Sequence, residues 1–295
     1  MKEKVLITIK YMAYCLVLIA LAGTIFYLVA DDNVEERLTK RYHFQPTKFL
    51  LKSSPEIIQR GRHLADIRGC VSCHGNDLSG KEFINEPGIG RVYASNLTTG
   101  KGGIGKNYTD LDWYNAIRHG IKKSRNALLF MPSNESAEMS IEDMVAIIAF
   151  CKNQPARDNV LPTNTVGPIT KVLTYLDKMP LLSAEKIDHK FKPSLSASKE
   201  TGIAQGKYLV SSCTGCHKAN LKGGPAILPG MPAIPDITGS GKLKNTSLQE
   251  FENILKTGTT PQGKQINNEE MPWKMTAKYS KGEVESLFTY LKSLK

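Results

Sequence analysis

Cys70-Val71-Ser72-Cys73-His74 and Cys213-Thr214-Gly215-Cys216-His217 are two copies of one pattern, Cys-x-x-Cys-His, in a chain of 295 residues. Two thiols one helical turn apart, followed at once by a histidine, are the attachment signature of c-type haem, in which the thiols bond to the vinyl groups and the imidazole binds iron. A thioredoxin-like dithiol, or a zinc site built from both cysteine pairs, would require neither histidine. The sequence therefore predicts two covalently attached c-type haems, with Cys70, Cys73, Cys213 and Cys216 as attachment residues and His74 and His217 as iron ligands.

The remaining composition leaves no disulfide framework and indicates a basic surface. Only Cys15 and Cys151 lie outside the two motifs, and both are expected to be buried apolar fillers. The formal net charge is +11 at pH 7, which suits the acidic docking face of a redox protein or anionic lipid headgroups. Because no aromatic-interleaved basic motif accompanies the charge, nucleic acid is not an expected partner.

The N-terminal segment predicts a membrane anchor. The chain is uncharged from Tyr11 to Ala30, about the 20 residues that a transmembrane helix needs. Lysines precede this stretch and acidic residues follow it, so the positive-inside rule leaves the N-terminus in the cytoplasm. A signal peptide cleaved after Ala30 is the alternative, although Leu28 is a poor residue for a cleavage site. The expected location is the cytoplasmic (inner) membrane, crossed once, with the haem domains on the periplasmic side.

After residue 55 the same characteristic residues occur twice along the chain and in the same order, which predicts two copies of one short helical domain. Gly61 before the first motif matches Gly206 before the second, and Ser140 and Ser280 are the predicted N-caps of the last helix in each copy. We therefore predict an all-α fold. It consists of an anchor and juxtamembrane segment at 1–55, haem domains at 56–152 and 200–295, and a linker at 153–199 with one helix around residues 169–178.

The repeat also selects a second ligand for each iron. When the copies are aligned on Ser140 and Ser280, only Met131 and Met271 fall at the same place, and a proline follows each. A recurring Met-Pro pair is not typical of core-filling methionine, so Met131 and Met271 are the predicted thioether ligands. The competing methionines are Met139, Met144, Met231 and Met275, and the histidines not expected to bind iron are His43, His63, His119 and His189. Trp113 and Phe251 fit the haem edge or the core equally well, and Arg118 and Lys256 fit haem propionates or solvent.

The chain after residue 56 resembles the class I type cytochrome c superfamily, and more closely the cytochrome c subunits of bacterial alcohol and gluconate dehydrogenase complexes. Besides the two motifs, the resemblance rests on Val92-Tyr93-Ala94-Ser95-Asn96-Leu97-Thr98, Gly103-Ile104-Gly105, Met131-Pro132 and residues 141–150. It implies small helical haem domains that relay electrons from a dehydrogenase toward quinone or an oxidase.

The sequence thus predicts a membrane-anchored dihaem cytochrome c that transfers electrons between redox partners, such as a dehydrogenase and a terminal oxidase. It predicts a carrier rather than an enzyme, with no catalytic residue. One alternative is a dihaem peroxidase-like enzyme in which one iron keeps a position open for substrate. Another is a fixed electron-wire subunit of an oxidase complex. A methionine offered to both irons favours transfer over catalysis.

Overall fold

The computed structural model describes residues 2–47, 49–179, 181–196, 201–226 and 232–295, and it is mostly helical with one small sheet. The helices and strands of these residues are α1 (Lys2–Thr39), α2 (Pro55–Ile67), α3 (Cys70–His74), β1 (Lys81–Glu86), β2 (Gly90–Ala94), α4 (Asp110–His119), α5 (Ser133–Ser136), α6 (Ile141–Lys152), β3 (Thr165–Val166), α7 (Pro168–Tyr175), α8 (Ile203–Leu209), α9 (Thr214–His217), α10 (Leu248–Thr257), α11 (Trp273–Thr276) and α12 (Lys281–Ser293). Two 3₁₀ turns lie at Ser183–Lys186 and Val210–Cys213.

Helix α1 contains the predicted anchor. Among the described residues it is the one helix long and apolar enough to cross a membrane, with a mean hydropathy of 2.3 in its most apolar stretch, a character that N-terminal signal sequences share. Ala30 and Val34 are fully buried near the end of α1, where it packs against α7 and the rest of the chain. Cys15, expected to be buried, is instead exposed, because it lies on the part of α1 that extends away from the rest of the protein.

Two pairs of helices cross closely because each pair has a glycine at its contact. A Cβ at Gly61 of α2 would overlap the backbone carbonyl oxygen of Ala146 in α6. In the same way, a Cβ at Gly206 of α8 would overlap the carbonyl oxygen of Ser286 in α12. The glycines that the sequence repeats before each Cys-x-x-Cys-His motif therefore permit two equivalent helix contacts.

The helix ends repeat as well. Ser140 and Ser280 accept the backbone N–H groups of Asp143 and Glu283 and cap α6 and α12, as predicted. Helices α4 and α10 each begin with a capping box and end at a left-handed glycine, with Thr109, Asp112 and Gly120 in one and Ser247, Glu250 and Gly258 in the other. Because the start and stop signals match, both helices are 10 residues long.

The Gly206→Ala variant tests the close helix contact. Alanine favours a helix over glycine by about 1 kcal/mol, but its Cβ has no room beside the Ser286 carbonyl. We expect a net loss of about 1–3 kcal/mol in the free energy of unfolding, measured by denaturant titration. Gly282→Ala is the matched control, because nothing lies within 4 Å of a Cβ there. A Gly206→Ala protein as stable as the control would contradict the contact.

The small sheet is a departure from the all-α prediction. Strands β1 and β2 form an antiparallel hairpin, and the two-residue β3 pairs with the other edge of β2. β-formers such as Phe83, Ile84 and Val92 flank a turn containing Gly88, which has a φ of 78°. The hairpin lies between the first motif and α4; at the equivalent place in the second half of the chain (200–295), the described residues form a single antiparallel bridge between Gly224 and Ile234.

The segment 153–199 lies between the first half of the chain (56–152) and the second half (200–295). It packs along the first half. The Asn96 side-chain amide donates to the Arg157 carbonyl at 2.7 Å, and the Asn159 amide donates to the Ser79 carbonyl at 3.0 Å. Further on, the Ile141 N–H at the start of α6 donates to the Ser194 carbonyl at 2.9 Å. Helix α7 occupies most of the stretch predicted as helical within this segment.

Candidate haem-binding site

Each Cys-x-x-Cys-His motif forms a helical turn. The first is α3 itself, and the second runs from the 3₁₀ turn Val210–Cys213 into α9. All four motif thiols are free; Cys216 is exposed and the other three are half-buried. Residues three apart lie on one face of a helix, so both thiols of a motif can reach one haem. Among the described residues, no group of three or more His, Cys, Asp or Glu side chains is placed to hold a metal ion.

The two motif histidines are held in the same way. His74 Nδ1 donates to the Ser95 carbonyl at 2.7 Å, and His217 Nδ1 donates to the Pro235 carbonyl at 2.9 Å. A hydrogen bond at Nδ1 fixes the tautomer and leaves Nε2 with its lone pair, the arrangement that metal-bound histidine needs. Burial lowers the pKa of both imidazoles, so they remain neutral near pH 7. These features fit a haem iron at both Nε2 atoms.

The loop after each histidine adopts one unusual conformation. Leu78 and Leu221 are buried and have positive φ values of 56° and 61°, which residues other than glycine rarely adopt. Their carbonyls accept hydrogen bonds from the N–H groups of Leu97 at 2.8 Å and Ile237 at 3.0 Å. The carbonyl that each histidine contacts lies two residues before these donors. The strained leucine therefore belongs to the structure that orients the imidazole.

Met131 lies in a constrained loop at the start of α5. The residue before it, Phe130, has a φ of 55°, and Pro132 after it is the N-cap residue of α5. The Met131 carbonyl accepts two hydrogen bonds, from the Ser133 N–H at 2.8 Å and from the Ser183 hydroxyl at 2.6 Å. Ser183 belongs to the segment between the two halves, which therefore holds this loop from outside the first half.

Met271 occupies the equivalent loop before α11. Its carbonyl accepts the Trp273 N–H at 2.7 Å, and its N–H donates to the Asn267 carbonyl at 3.1 Å. Pro272 is the N-cap residue of α11, as Pro132 is of α5. Both Met131 and Met271 are half-buried.

The competing methionines have other surroundings. Met139 and Met144 are fully buried in the hydrophobic core, where methionine acts as a filler. The Met275 sulfur lies 3.1 Å from the position that a Cβ on Gly69 would take, so it lies against the residue directly before the motif of the other half. Met231 lies outside the described residues.

Equivalent residues of the two halves contact one another reciprocally. His63 Nε2 donates to the Glu283 carboxylate at 2.9 Å, and the Tyr208 hydroxyl donates to the Asp143 carboxylate at 2.6 Å. In the alignment of the repeats, His63 corresponds to Tyr208, and Asp143 corresponds to Glu283. Reciprocal contacts of this kind define a two-fold interface between like units.

Arg68 connects the two motifs across this interface. It stands two residues before Cys70, and its guanidinium donates to the Ser211 and Ser212 hydroxyls, directly before Cys213, and to the Tyr208 carbonyl. The Nε atom of Arg68 is buried without a hydrogen-bond partner among the described residues.

Glu135 and Met275, at equivalent positions of the repeats, lie against the opposite half at its motif and directly before its motif, respectively. The Glu135 carboxylate lies where a Cβ on Gly215 would project, just as Met275 lies against Gly69. Burial raises the pKa of Glu135 to about 7, although the nearby Arg68 acts in the opposite direction. The two motifs therefore face one another across the contact between the halves.

The His63–Glu283 pair predicts a dependence of stability on pH. The hydrogen bond to Glu283 raises the pKa of His63, helped by Asp66 and opposed by burial and by Arg60. The pair therefore stabilises fully below the unfolded histidine pKa of about 6.5, and its contribution is lost as pH rises through the raised folded value. Burial alone would raise the pKa of Glu283, but the His63 hydrogen bond lowers it, so the pair also weakens in strong acid.

We expect the His63→Gln variant to lose the fall in stability between pH 6 and pH 8, measured by urea titration at both values. Tyr208→Phe, at the equivalent contact, should lower the stability by a similar amount at both pH values. An unchanged pH slope in His63→Gln would contradict the role of the pair.

His119 and His189 form a separate buried cluster. The His119 Nδ1 donates to the His189 Nδ1 at 3.0 Å, since the His189 Nε2 donates to the Ala184 carbonyl. The Phe44 ring stacks on His119 at 4.2 Å, and burial lowers the pKa of His119 to about 3. This cluster packs the segment after α1, through Phe44, onto the first half.

The structure gives defined surroundings to the four side chains whose roles the sequence does not decide. Arg118 is buried and donates to the Asp188 and Phe191 carbonyls, so it does not face solvent, whereas Lys256 is half-exposed and pairs with Glu252 at 2.8 Å. Trp113 and Phe251 are both buried in the core, and the Trp113 Nε1 lacks an acceptor among the described residues. An unpaired buried donor of this kind fits an anionic group such as a haem propionate.

Comparison with known proteins places the second motif in a defined family. Residues 203–295 match the Cytochrome c family. The chain is 27% identical over 271 residues to the cytochrome c subunit of the quinone alcohol dehydrogenase of Gluconacetobacter polyoxogenes. It is 32% identical over 180 residues to the gluconate 2-dehydrogenase cytochrome c subunit of Pantoea cypripedii. It is 26% identical over 308 residues to the fructose dehydrogenase cytochrome subunit of Gluconobacter japonicus.

These similarities cover different shares of the proteins. They extend over 81%, 56% and 96% of this chain, respectively. Of the relatives' own lengths, the chain spans 56%, 39% and 60%. All three relatives are named as cytochrome subunits of dehydrogenases.

Proposed function

We propose that this chain, whose residues 203–295 are a cytochrome c domain, is a membrane-anchored dihaem cytochrome c that transfers electrons between redox proteins. The observation that carries the proposal is the duplication of the site. Two Cys-x-x-Cys-His turns each present a neutral imidazole, fixed through Nδ1 by a backbone carbonyl, and they face one another across a two-fold contact. When bound, c-type haem supplies reversible one-electron chemistry at iron.

The proposal includes two domains, at residues 56–152 and 200–295. Their shared glycine contacts, helix caps and strained leucines support a common fold, although the family match covers the second copy only. The segment at 153–199 is then a linker that packs along the first domain.

Met131 and Met271 are the proposed sixth ligands of the two irons. Their equivalent loops support this assignment, since each leads through proline into a short helix. Full burial of Met139 and Met144, and the contact of Met275 with the opposite half, argue for structural roles of those side chains. With both irons bound by protein ligands on two sides, the chain offers no position for peroxide, which disfavours the peroxidase-like alternative.

In this proposal, Arg68 and the reciprocal pairs hold the two haems at a fixed separation. Electron transfer between two haems requires a fixed separation, and the contacts from His63, Arg68 and Tyr208 cross the interface close to both motifs. The positive charge of Arg68 between the motifs also favours the reduced state of each haem, because added negative charge is stabilised there.

We propose that residues 11–30 remain as the single membrane crossing, with both haem domains on the periplasmic side. Contacts made by the apolar run itself support a retained anchor over a signal cleaved after Ala30, since the Phe26 ring meets the Tyr175 ring with centroids 5.8 Å apart and Ala30 is fully buried. Arg37 forms a two-pronged ion pair with Glu185, and Lys171 pairs with Asp31 and Glu35. The helix is therefore continuous with, and fastened to, the folded part of the chain.

The proposed electron donor is a dehydrogenase, by analogy with the three named relatives. Those names describe subunits, so permanent association with a dehydrogenase is favoured over association with an oxidase. The net charge of +11 supports an acidic docking face on the partner, approached by electrostatic steering.

The full-length protein, purified from membranes, tests this function. Rapid mixing with a reduced acidic redox protein should give fast oxidation of that donor, and the rate should fall as salt rises above about 0.1 M. Peroxide should be turned over only at background rates. Peroxide turnover at enzymic rates, or no electron exchange at any ionic strength, would overturn the carrier function.

A further inference from the structure

Helix α7, in the proposed linker, lies against α1 where the apolar run ends. The Tyr175 ring meets the Phe26 ring edge-on, with centroids 5.8 Å apart. In the middle of α7, the Lys171 ammonium contacts the carboxylates of Asp31 at 2.6 Å and Glu35 at 2.7 Å. The C-terminal end of α7 therefore lies beside the apolar run, and its middle lies beside the acidic turn that follows the run.

Apolar side chains of α7 remain uncovered at this place. Ile169 is 50% exposed and Leu176, directly after the helix, is 46% exposed. Val172 and Leu173 are half-buried between them. These four residues follow the i, i+3, i+4, i+7 spacing of one helical face, so they form an apolar stripe rather than scattered exposures.

The contact with Phe26 fixes the depth of this stripe. If residues 11–30 cross the bilayer, Phe26 lies one helical turn, about 5.4 Å, inside the outer end of the crossing. A tyrosine ring that touches Phe26 is then near the boundary between the acyl chains and the headgroups, the interface at which tyrosine is enriched in membrane proteins. Leu176 follows Tyr175 directly and lies at a similar depth.

We propose that the C-terminal end of α7, through Tyr175 and Leu176, inserts into the outer headgroup region of the bilayer that α1 crosses. The phospholipid bilayer is the occupant because this surface is continuous with the membrane-crossing helix itself. Lys171 and Arg37 fasten α7 and its neighbouring turn to α1, so the first half rests on the membrane surface in one orientation instead of moving on a flexible stalk. The inference rests on the proposed membrane anchor.

Spin labels on single cysteines test the insertion in liposomes of phosphatidylcholine and phosphatidylglycerol. The variants are Leu176→Cys, Val160→Cys and Leu18→Cys in a Cys15→Ala background, in which the remaining Cys151 is buried. The relaxation measured without either reagent is subtracted, so that any contribution of haem iron cancels. Oxygen concentrates in lipid and a nickel chelate stays in water, so the ratio of their relaxation effects reports depth. Val160 is the matched control, because it is 65% exposed in the same linker but away from α7.

We expect a ratio several-fold higher at Leu176→Cys than at Val160→Cys, and highest at Leu18→Cys. Equal ratios at positions 176 and 160, with a high ratio at position 18, would overturn the insertion and leave the anchor standing. A water-like ratio at position 18 would overturn the anchor and the insertion together. Unchanged haem absorption in each variant checks that the fold is intact.

Discussion

The Cys213→Ala/Cys216→Ala variant is expected to carry one covalently attached haem per chain, where we expect two in the parent protein. Attachment depends on the two thiols of one motif, and the motif in α3 has its own histidine braced by its own loop. Loss of the second haem should therefore leave the first in place. Mass spectrometry of the denatured protein counts the covalent haems directly, since thioether bonds survive denaturation.

The Cys15→Ala variant is the control for this measurement. Cys15 is an exposed thiol on α1 and belongs to neither motif, so this protein should keep both haems. A parent protein with a single haem, lost completely in the double variant, would contradict the dihaem proposal. The reverse variant, Cys70→Ala/Cys73→Ala, would then keep the haem of the parent.

Local signals explain why parts of this fold are readable from the chain. A capping serine such as Ser280 acts through a bond to a backbone N–H three residues on, so sequence spacing alone predicts it. The Cys-x-x-Cys-His motif is equally local, since its chemistry needs one helical turn. Repetition added non-local information, because Gly61 and Gly206 could be matched before their contacts with α6 and α12 were known.

Other features depend on contacts between distant segments and carry no local pattern. The His63–Glu283 and Tyr208–Asp143 pairs join residues far apart in the chain, and neither side chain of a pair indicates its partner. Their equivalence was nevertheless present in the alignment of the repeats. The sequence could have indicated this interface through one test. The test asks whether a residue of one copy can pair with a residue at a different aligned position of the other copy, and whether the reverse pair also exists.

The two methionine loops differ in one respect that bears on function. The Met131 carbonyl is held by the Ser183 hydroxyl, two residues before Glu185, which pairs with Arg37 of α1. Met271 is held by bonds within its own half. The loop of the proposed ligand Met131 is thus connected through two side-chain contacts to the proposed anchor, so the two proposed haem sites have different surroundings although their proposed ligands are of the same types.

Replacing either proposed thioether ligand is expected to change one haem and leave the other unaltered. In Met131→Leu or Met271→Leu, covalent haem should remain, but half of the sulfur-to-iron absorption at the red end of the spectrum should disappear. The potential of the affected haem should fall by on the order of 0.1–0.3 V, within the range of about 0.8 V that axial ligands span. The physical reason is that the thioether stabilises ferrous iron, which raises the potential. Optical redox titration resolves both effects.

Met139→Leu and Met275→Leu are the matched controls, because they remove a thioether of the same size from each half. Met139 is buried in the core and Met275 contacts Gly69, so both variants should keep the full absorption and both potentials. These swaps conserve volume and should cost less than about 1.5 kcal/mol of stability. Loss of the absorption in a control, with normal spectra in Met131→Leu or Met271→Leu, would transfer the ligand role to the control methionine of that half. The spectra therefore distinguish a ligand from a core methionine, because a purely structural role would change stability without changing the absorption.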